Sequence, residues 1–184
     1  MPRPEPDEYF MGIALAVRAR ANCTGRRVGA VVVRDNRILS TGYNGTPSKM
    51  RNCEEGGCER CAKPAAYASG EGYDLCICVH AEQNALLAAA RFGVAIEGCT
   101  LYTTLQPCFG CLKELLQASV RGVGFLHVWE SRFASQYAAL VDRLGAGNFR
   151  HVSIDDPQAA WALGRAGDAE RTQGHELLAD GENR

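Results

Sequence analysis

The sequence lacks a long apolar run. None of its 184 residues lies in a stretch that approaches the roughly 20 apolar residues needed to cross a bilayer. The first residues, 1–8, contain three prolines and several charges where a secretory signal peptide would have its apolar core. We therefore expect a cytoplasmic protein without a membrane partner.

The sequence also lacks an excess of charge of either sign. Lysine and arginine number 20 against 21 aspartates and glutamates, which gives a net charge of -1. Proteins that grip a nucleic acid backbone over a broad surface carry a basic patch or stripe. The charge balance therefore argues against a nucleic acid partner.

The length and the hydrophobic content of 46% fit one globular domain with a sizeable core. We expect this domain over residues 7–156. Residues 157–184 are rich in Ala, Gly and charge, and their few large apolar groups are Trp161, Leu163, Leu177 and Leu178. We predict a flexible C-terminal tail there, with no more than a short docked helix.

Hydrophobic periodicity predicts an α/β fold. A helix capped by Asp7 and running to about Asn22 precedes two strands that form a hairpin. Strands then alternate with helices, which indicates parallel pairing and, with the hairpin, a mixed sheet. The predicted strands are 28–33, 37–43, 100–104, 122–128 and 149–154, and the later helices are 80–91, 108–118 and 133–144. Residues 48–79 have little periodicity and hold most of the cysteines.

Two short motifs carry the chemistry. His80 and Glu82 lie at the start of one predicted helix, and Cys108 and Cys111 at the start of the next. One imidazole and two thiolates can hold zinc and leave a fourth position for water, whose pKa zinc lowers to about 7. Glu82 would then carry protons beside the metal. The alternative is a closed zinc site, or two buried thiols with an ordinary acid at a helix start, but the agreement of both motifs favours the open site.

H-x-E followed by P-C-x-x-C resembles the pattern of zinc-dependent nucleobase deaminases. Further stretches resemble the deoxycytidylate (dCMP) deaminase family: R-V-G-A-V-V-V at 27–33, G-Y-N-G-T-P at 42–47, N-C at 52–53, H-A-E-Q-N-A at 80–85 and L-Y-T-T at 101–104. The resemblance implies a cytidine deaminase-like three-layer α/β/α sandwich with a mixed five-stranded sheet. It also implies hydrolysis of dCMP to dUMP and ammonia, with zinc on His80, Cys108 and Cys111 and with Glu82 as the acid and base.

The resemblance also suggests where the nucleotide binds. Asn44 looks like the residue that contacts the sugar, although an Asn beside Gly in a loop also suits a simple turn. Arg26 and Lys49, with Arg27 and Arg51, flank this loop, and one or two of these could pair with the phosphate. Each taken singly could equally be part of a solvated basic surface.

A second cysteine cluster surrounds the irregular segment. In a reducing compartment the 9 cysteines are better explained as metal ligands or buried thiols than as disulfides. Cys99 stands alone before a strand and is expected in the core. Members of the family often carry a second, structural zinc near this region, for which the candidates are Cys23, Cys53, Cys58, Cys61, Cys76 and Cys78. Either one closed site leaves two thiols spare, which we favour, or two zinc ions share bridging thiolates.

Few histidines are present, and none lies between Cys23 and Val79, where some family members use one in the second site. His127, His151 and His175 are expected to be structural or solvent-facing.

Two rival functions are considered. One is another zinc deaminase, acting on cytidine, dCTP or tRNA adenosine, and the other is a binding module that zinc stabilises and that has no catalytic activity. The family further implies a homo-oligomer and regulation by dCTP and dTTP, with magnesium accompanying an allosteric nucleotide.

Overall fold

A mixed five-stranded sheet forms the centre of the protein in a computed structural model that describes residues 3–67, 71–72 and 74–163. The strands follow the order β2-β1-β3-β4-β5 across the sheet. Their bounds are β1 Gly29–Arg34, β2 Arg37–Tyr43, β3 Thr100–Leu105, β4 Gly122–His127 and β5 Phe149–His151. β1 pairs antiparallel with β2 and β3, whereas β3, β4 and β5 run parallel.

Helices cover both faces of the sheet, as a three-layer α/β/α sandwich requires. On one face, Phe10 and Met11 of α1 pack against Val31 and Val33. On the other face, helices α3, α4 and α5 pack against Ala30, Val32 and neighbouring strands. The alternation along β1 follows from the period of two in a strand. The helix bounds are α1 Pro6–Arg18, α2 Glu59–Ala62, α3 Ala81–Arg91, α4 Phe109–Gln117, α5 Ala134–Leu144 and α6 Ala160–Leu163.

The hairpin between β1 and β2 is as predicted, and its turn explains why. Asp35 and Asn36 both have positive φ, 50° and 56°. Two consecutive left-handed residues are the mark of a type I′ turn, whose twist suits a two-residue hairpin, and Asp and Asn tolerate that conformation best after Gly.

The first helix differs from its prediction at both ends. It is capped by Glu5 and not by Asp7, because Pro6 occupies the first helical position and Glu8 completes a capping box with Glu5. Asp7 instead accepts hydrogen bonds from Tyr102 and Arg150, which tie α1 to β3 and β5. The helix ends at Arg18, four residues before the predicted end.

The irregular segment, residues 48–79, has only single-turn helices among its described residues: α2 and the 3-10 helices Cys53–Glu55 and Pro64–Ala66. Its buried cluster consists entirely of cysteines. After β5 the described chain ends with α6, and the predicted tail beyond residue 163 lies outside the described residues. None of the helices within the described ranges has the length and apolar character needed to cross a membrane.

A buried ionic network joins the end of the domain to α1. Arg18, only 1% exposed, donates two hydrogen bonds to Asp156, at 2.7 and 2.6 Å. The Asp156 carboxylate also lies 2.7 Å from Nε2 of His127. Burial alone would raise the pKa of Asp156, but the hydrogen bonds from Arg18 and His127 hold it well below its usual range. His127 is therefore structural, as predicted, and His151 likewise bonds the Leu126 carbonyl.

We expect Asp156→Asn to lower the free energy of unfolding by about 3–5 kcal/mol, because it leaves the buried Arg18 charge without its counterion. Urea unfolding followed by circular dichroism measures this loss. The matched control is Asp155→Asn, since Asp155 is exposed and its substitution should change stability by less than about 0.5 kcal/mol. Equal losses in the two variants would show that the network does not stabilise the fold.

Gly42 sets the distance between β2 and α3. A Cβ at this position would lie 2.1 Å from the Ala81 carbonyl oxygen and 2.4 Å from the Ala85 nitrogen, both backbone atoms. A residue with a side chain would therefore push α3, which begins immediately after His80, away from the sheet.

Gly42→Ala should destabilise the protein by about 1–3 kcal/mol, the usual cost of overpacking, and should displace the start of α3. Chemical denaturation tests the stability change. Gly12→Ala provides the control, because no atom lies within 4 Å of a Cβ there and the site is an exposed helical position. That variant should be neutral or stabilised by up to about 1 kcal/mol.

Candidate functional site

Three metal-binding atoms converge between the starts of α3 and α4. His80 is the N-cap of α3, Cys108 is the N-cap of α4, and Cys111 lies in the first turn of α4. Nδ1 of His80 lies 3.3 Å from Sγ of Cys111 and 3.5 Å from Sγ of Cys108. All three donor atoms lie within 4.8 Å of one another. The structure thus brings together the three residues predicted to hold the catalytic metal.

The spacing of these donors suits zinc. With Zn–S bonds of about 2.3 Å and a Zn–N bond of about 2.0 Å, a tetrahedron has an S–N edge of about 3.5 Å. The observed separations of 3.3 and 3.5 Å match that edge. Three ligands on a tetrahedral ion leave one position for water or substrate, so the donor set fits a catalytic zinc site.

Hydrogen bonds fix the elements that carry the ligands. The Gln83 side chain accepts from the His80 backbone N–H and donates to Glu114 of α4, which links the two helix starts. Tyr137 of α5 donates to the Pro107 carbonyl next to Cys108, at 2.7 Å. These second partners hold the ligand-bearing backbone in place.

Glu82 lies inside the site and is only 4% exposed. Its Oε2 accepts from the Cys111 thiol at 3.7 Å. Burial is the main cause that raises the pKa of Glu82 to about 7, since desolvation disfavours the carboxylate. A carboxyl group with this pKa can both take and give a proton near neutral pH.

His80 and Cys108 favour opposite charges. The neighbouring Cys111, followed by the hydrogen bond and charge of His80, lowers the pKa of Cys108 to about 4. Burial opposes the charge on His80, but the hydrogen bond and charge of Cys108 raise the imidazole pKa to about 9. The proton on His80 therefore occupies the place of a cation, and a bound metal would displace it.

A pocket open to solvent is lined by His80, Glu82 and Cys108. Asn44 also lines it, together with four cysteines of the second cluster, Cys23, Cys61, Cys76 and Cys78. The candidate catalytic residues thus face a pocket that a small molecule can enter from solvent.

The predicted nucleotide-binding residues fall into two groups. Asn44 and Arg26 line the pocket. The Asn44 side chain accepts from the Val28 N–H and donates to the Arg26 carbonyl, which leaves one of its N–H groups to meet a ligand. Lys49 is exposed, has a left-handed backbone (φ 71°) and is not among the described residues that line the pocket. The predicted phosphate contact of Lys49 therefore stays a prediction without a place in this pocket.

Arg60, Tyr67 and Trp129 are among the pocket residues that were missed by reasoning from the sequence. Arg60 and Tyr67 belong to the irregular segment, and the Arg60 guanidinium lies 6.0 Å from the centre of the Tyr67 ring. The cationic side chains lining the described pocket are Arg26 and Arg60. The position of Arg60 next to Cys61 was the only sequence signal for a role in the pocket. The spacing does not indicate in which direction the Arg60 side chain extends.

All six cysteines of the second cluster come together. Cys23, Cys53, Cys61 and Cys78 form one group whose sulfurs lie within 4.8 Å of one another, and Cys58, Cys61, Cys76 and Cys78 form a second. Cys61 and Cys78 belong to both groups. The structure does not separate four ligands from two spare thiols. Cys99 is buried in the main core, as predicted.

Comparison with known proteins gives consistent matches. Residues 4–127 match the family model of the cytidine and deoxycytidylate deaminase zinc-binding region. Deoxycytidylate deaminase of Schizosaccharomyces pombe is 46% identical over 121 residues, which cover 66% of this chain and 37% of that protein. The enzyme of Mycobacterium phage D29 is 44% identical over 122 residues, covering 65% of this chain and 91% of the phage protein.

A solved structure agrees in fold. The dCMP deaminase of cyanophage S-TIM5, crystallised with dCMP and dUMP, has a TM-score of 0.61 and 30% identity, and the match covers 84% of this chain and all of the phage chain. The chain spans only 37% of the length of its yeast relatives. Because the family match covers most of the chain and coincides with the zinc ligand set, the protein belongs to the cytidine and deoxycytidylate deaminase zinc-binding family.

Proposed function

We propose that the protein hydrolyses dCMP to dUMP and releases ammonia, a reaction that feeds thymidylate synthesis. The observation that carries the proposal is the buried Glu82 carboxyl beside the convergent His80, Cys108 and Cys111 at a pocket open to solvent. Relatives named deoxycytidylate deaminase support dCMP as the substrate. The phage structure with dCMP and dUMP supports the same choice.

In the proposed mechanism, His80, Cys108 and Cys111 would hold zinc, which supplies an attacking water of lowered pKa. Glu82 accepts a proton from that water and donates it to N3 of cytosine as a C4–O bond forms. Glu82 then passes the second water proton to the amine at C4, the C4–N bond breaks, and ammonia leaves. Burial raises the pKa of Glu82, which favours a carboxyl group that can hold a proton between the two transfers.

The side chains that line the pocket are suited to binding the sugar and the phosphate monoester of a nucleotide. Asn44 would donate its remaining amide N–H to the deoxyribose, while Arg26 and Arg60 would pair with the phosphate. Tyr67 and Trp129 add aromatic surface for the base or sugar. Arg27 contributes elsewhere, because its guanidinium lies 4.7 Å from the centre of the Trp161 ring and pairs with Glu54.

A structural metal in the second cysteine cluster would hold both sides of this pocket. Cys78 lies two residues before His80, and Val79 pairs with Gly45, the neighbour of Asn44. Any metal that fixes Cys78 would therefore position both a zinc ligand and the proposed sugar contact. Its loss should weaken substrate binding as well as stability.

Two rival functions make different predictions. A zinc-stapled binding module would have no use for a buried proton carrier, so Glu82 favours catalysis. A cytidine, dCTP or tRNA adenosine deaminase would share the same zinc ligands and carboxyl group. Only a comparison of turnover on the different substrates distinguishes these enzymes.

Turnover of dCMP, cytidine, dCTP and a tRNA anticodon stem should be compared on one preparation, with dCMP giving the highest kcat/KM. Glu82→Gln should keep zinc and fold but lower kcat by at least about 100-fold, because it removes the proton carrier. Glu97→Gln is the matched control, since Glu97 is exposed and lies outside the site. Preference for another substrate would refute dCMP, and substantial activity in Glu82→Gln would refute the role of Glu82.

Arg60→Ala should raise KM for dCMP roughly 10- to 100-fold, as expected for loss of a charge-assisted hydrogen bond, and leave zinc content unchanged. Deoxycytidine, which has no phosphate, should be turned over equally well by the variant and the parent. Arg37→Ala, an exposed change at the start of β2, should behave like the parent on both substrates. Equal effects of Arg60→Ala on dCMP and deoxycytidine would contradict a phosphate contact.

The other properties implied by the family stay predictions. They are a homo-oligomer, activation by dCTP and inhibition by dTTP, magnesium bound with such an effector, and a cytoplasmic location. Exposed apolar side chains on and after α3, Leu87 and Phe92, are consistent with a contact between subunits.

A further inference from the structure

The second cysteine cluster contains more ligands than a single tetrahedral metal uses. Six thiols meet in it, and five of them are buried. They come from four separate places: Cys23 after α1, Cys53 in the 3-10 helix after β2, Cys58 and Cys61 around α2, and Cys76 and Cys78 before His80. No short sequence motif unites them, so their meeting is a property of the fold.

The six sulfurs divide into two sets of four that share one pair. Cys61 and Cys78 belong to both sets, Cys23 and Cys53 complete the first, and Cys58 and Cys76 complete the second. Two tetrahedra that share an edge have six corners, and every sulfur of the cluster then has a place. A single ion in either set would leave two thiols unused within contact distance of its ligands.

The separations between sulfurs fit metal coordination. Tetrahedral coordination with Zn–S bonds of about 2.3 Å places sulfurs about 3.8 Å apart. The sulfurs of Cys23 and Cys61 are 3.8 Å apart, those of Cys58 and Cys76 are 3.7 Å apart, and those of Cys61 and Cys76 are 3.9 Å apart. Edges of this length occur in both sets. A disulfide would require about 2.05 Å.

A metal site would also account for the folding of the irregular segment. Its buried cluster contains only cysteines, and its helices are single turns. Small polarizable thiols bury little apolar surface, so they cannot alone offset the entropy of ordering about 30 residues. Metal–thiolate bonds can, because their binding free energy becomes folding free energy.

We propose that the cluster binds two divalent ions, zinc in the first place, with Cys61 and Cys78 as bridging thiolates. Cys23 and Cys53 complete one ion, and Cys58 and Cys76 complete the other. Four thiolates around each ion leave no open position, so the pair is structural. The bridging Cys78 connects the two-ion core directly to the chain that carries His80.

Metal and thiol counts on the full chain test this proposal. Protein purified without chelator should contain about three equivalents of zinc and, after denaturation, 9 free thiols. Cys108→Ser with Cys111→Ser removes the ligand pair of the other site, and the zinc content should fall to about two. A count of about two that falls to one would overturn the two-ion site. A disulfide between Cys58 and Cys76, seen as two missing thiols, would overturn it equally.

Paired variants locate the ions. Cys58→Ser with Cys76→Ser should lose one equivalent of zinc, and Cys23→Ser with Cys53→Ser should also lose one. Cys99→Ala serves as the control, because Cys99 lies in the main core and should leave the zinc content unchanged. Retention of all zinc by either paired variant would contradict the assignment.

X-ray absorption on the unaltered protein avoids any question of misfolded variants. Zinc ions that share two thiolates should give a metal–metal vector at roughly 3 Å, given Zn–S bonds of about 2.3 Å. Absence of that vector in protein with about three equivalents of zinc would rule out the bridge. None of these measurements depends on turnover, so failure of the proposed deamination and failure of the two-ion site remain distinguishable.

Discussion

The site depends on one geometric constraint: the starts of α3 and α4 must meet. His80 and Cys108 are the N-caps of these helices, so a small change in either helix axis would separate the donor atoms. The absence of a side chain at Gly42 allows α3 to pack closely against β2. The hydrogen bond from Gln83 to Glu114 joins the two helices. Helix amino ends also favour thiolates, because their free N–H groups carry a positive partial charge. The same positions thus supply both the ligand geometry and the ligand charge.

The second constraint acts on the irregular segment, which supplies much of the pocket wall. In a typical domain such a segment would be held by its own apolar side chains, but here sulfur takes their place. With the proposed metal ions bound, the pocket would depend on the redox state and the metal supply of its surroundings. Oxidation or chelation at Cys61 or Cys78 would loosen the segment that carries Arg60 and the approach to His80, without touching the catalytic ligands.

Local patterns in the sequence were sufficient for the elements and for the chemistry, because both are encoded within a few residues. The hairpin turn at Asp35 and Asn36 and the two zinc motifs are examples, and the three candidate zinc ligands His80, Cys108 and Cys111 converge in the structure. Contacts between side chains far apart in the chain could not be predicted from the sequence. Arg18 and Asp156 are 138 residues apart, and Asp7 was assigned to a cap although it bonds Arg150. Arg60 and Trp129 reach the pocket only through the tertiary fold, and the same is true of the sharing of Cys61 and Cys78 between two sets of thiols.

Glu82 shows how function conflicts with the rules that stabilise the rest of the domain. A helix start that packs against a sheet would normally bury an apolar residue, as Ala81 and Ala85 do. Burying a carboxyl group costs free energy that the charge of the neighbouring His80 offsets only in part, and the raised pKa of Glu82 reflects that burial. A structural metal site would gain nothing from such a group, whereas a proton carrier requires a pKa near the working pH. The misfit of Glu82 in an otherwise consistent core is therefore the strongest physical argument that the site performs chemistry.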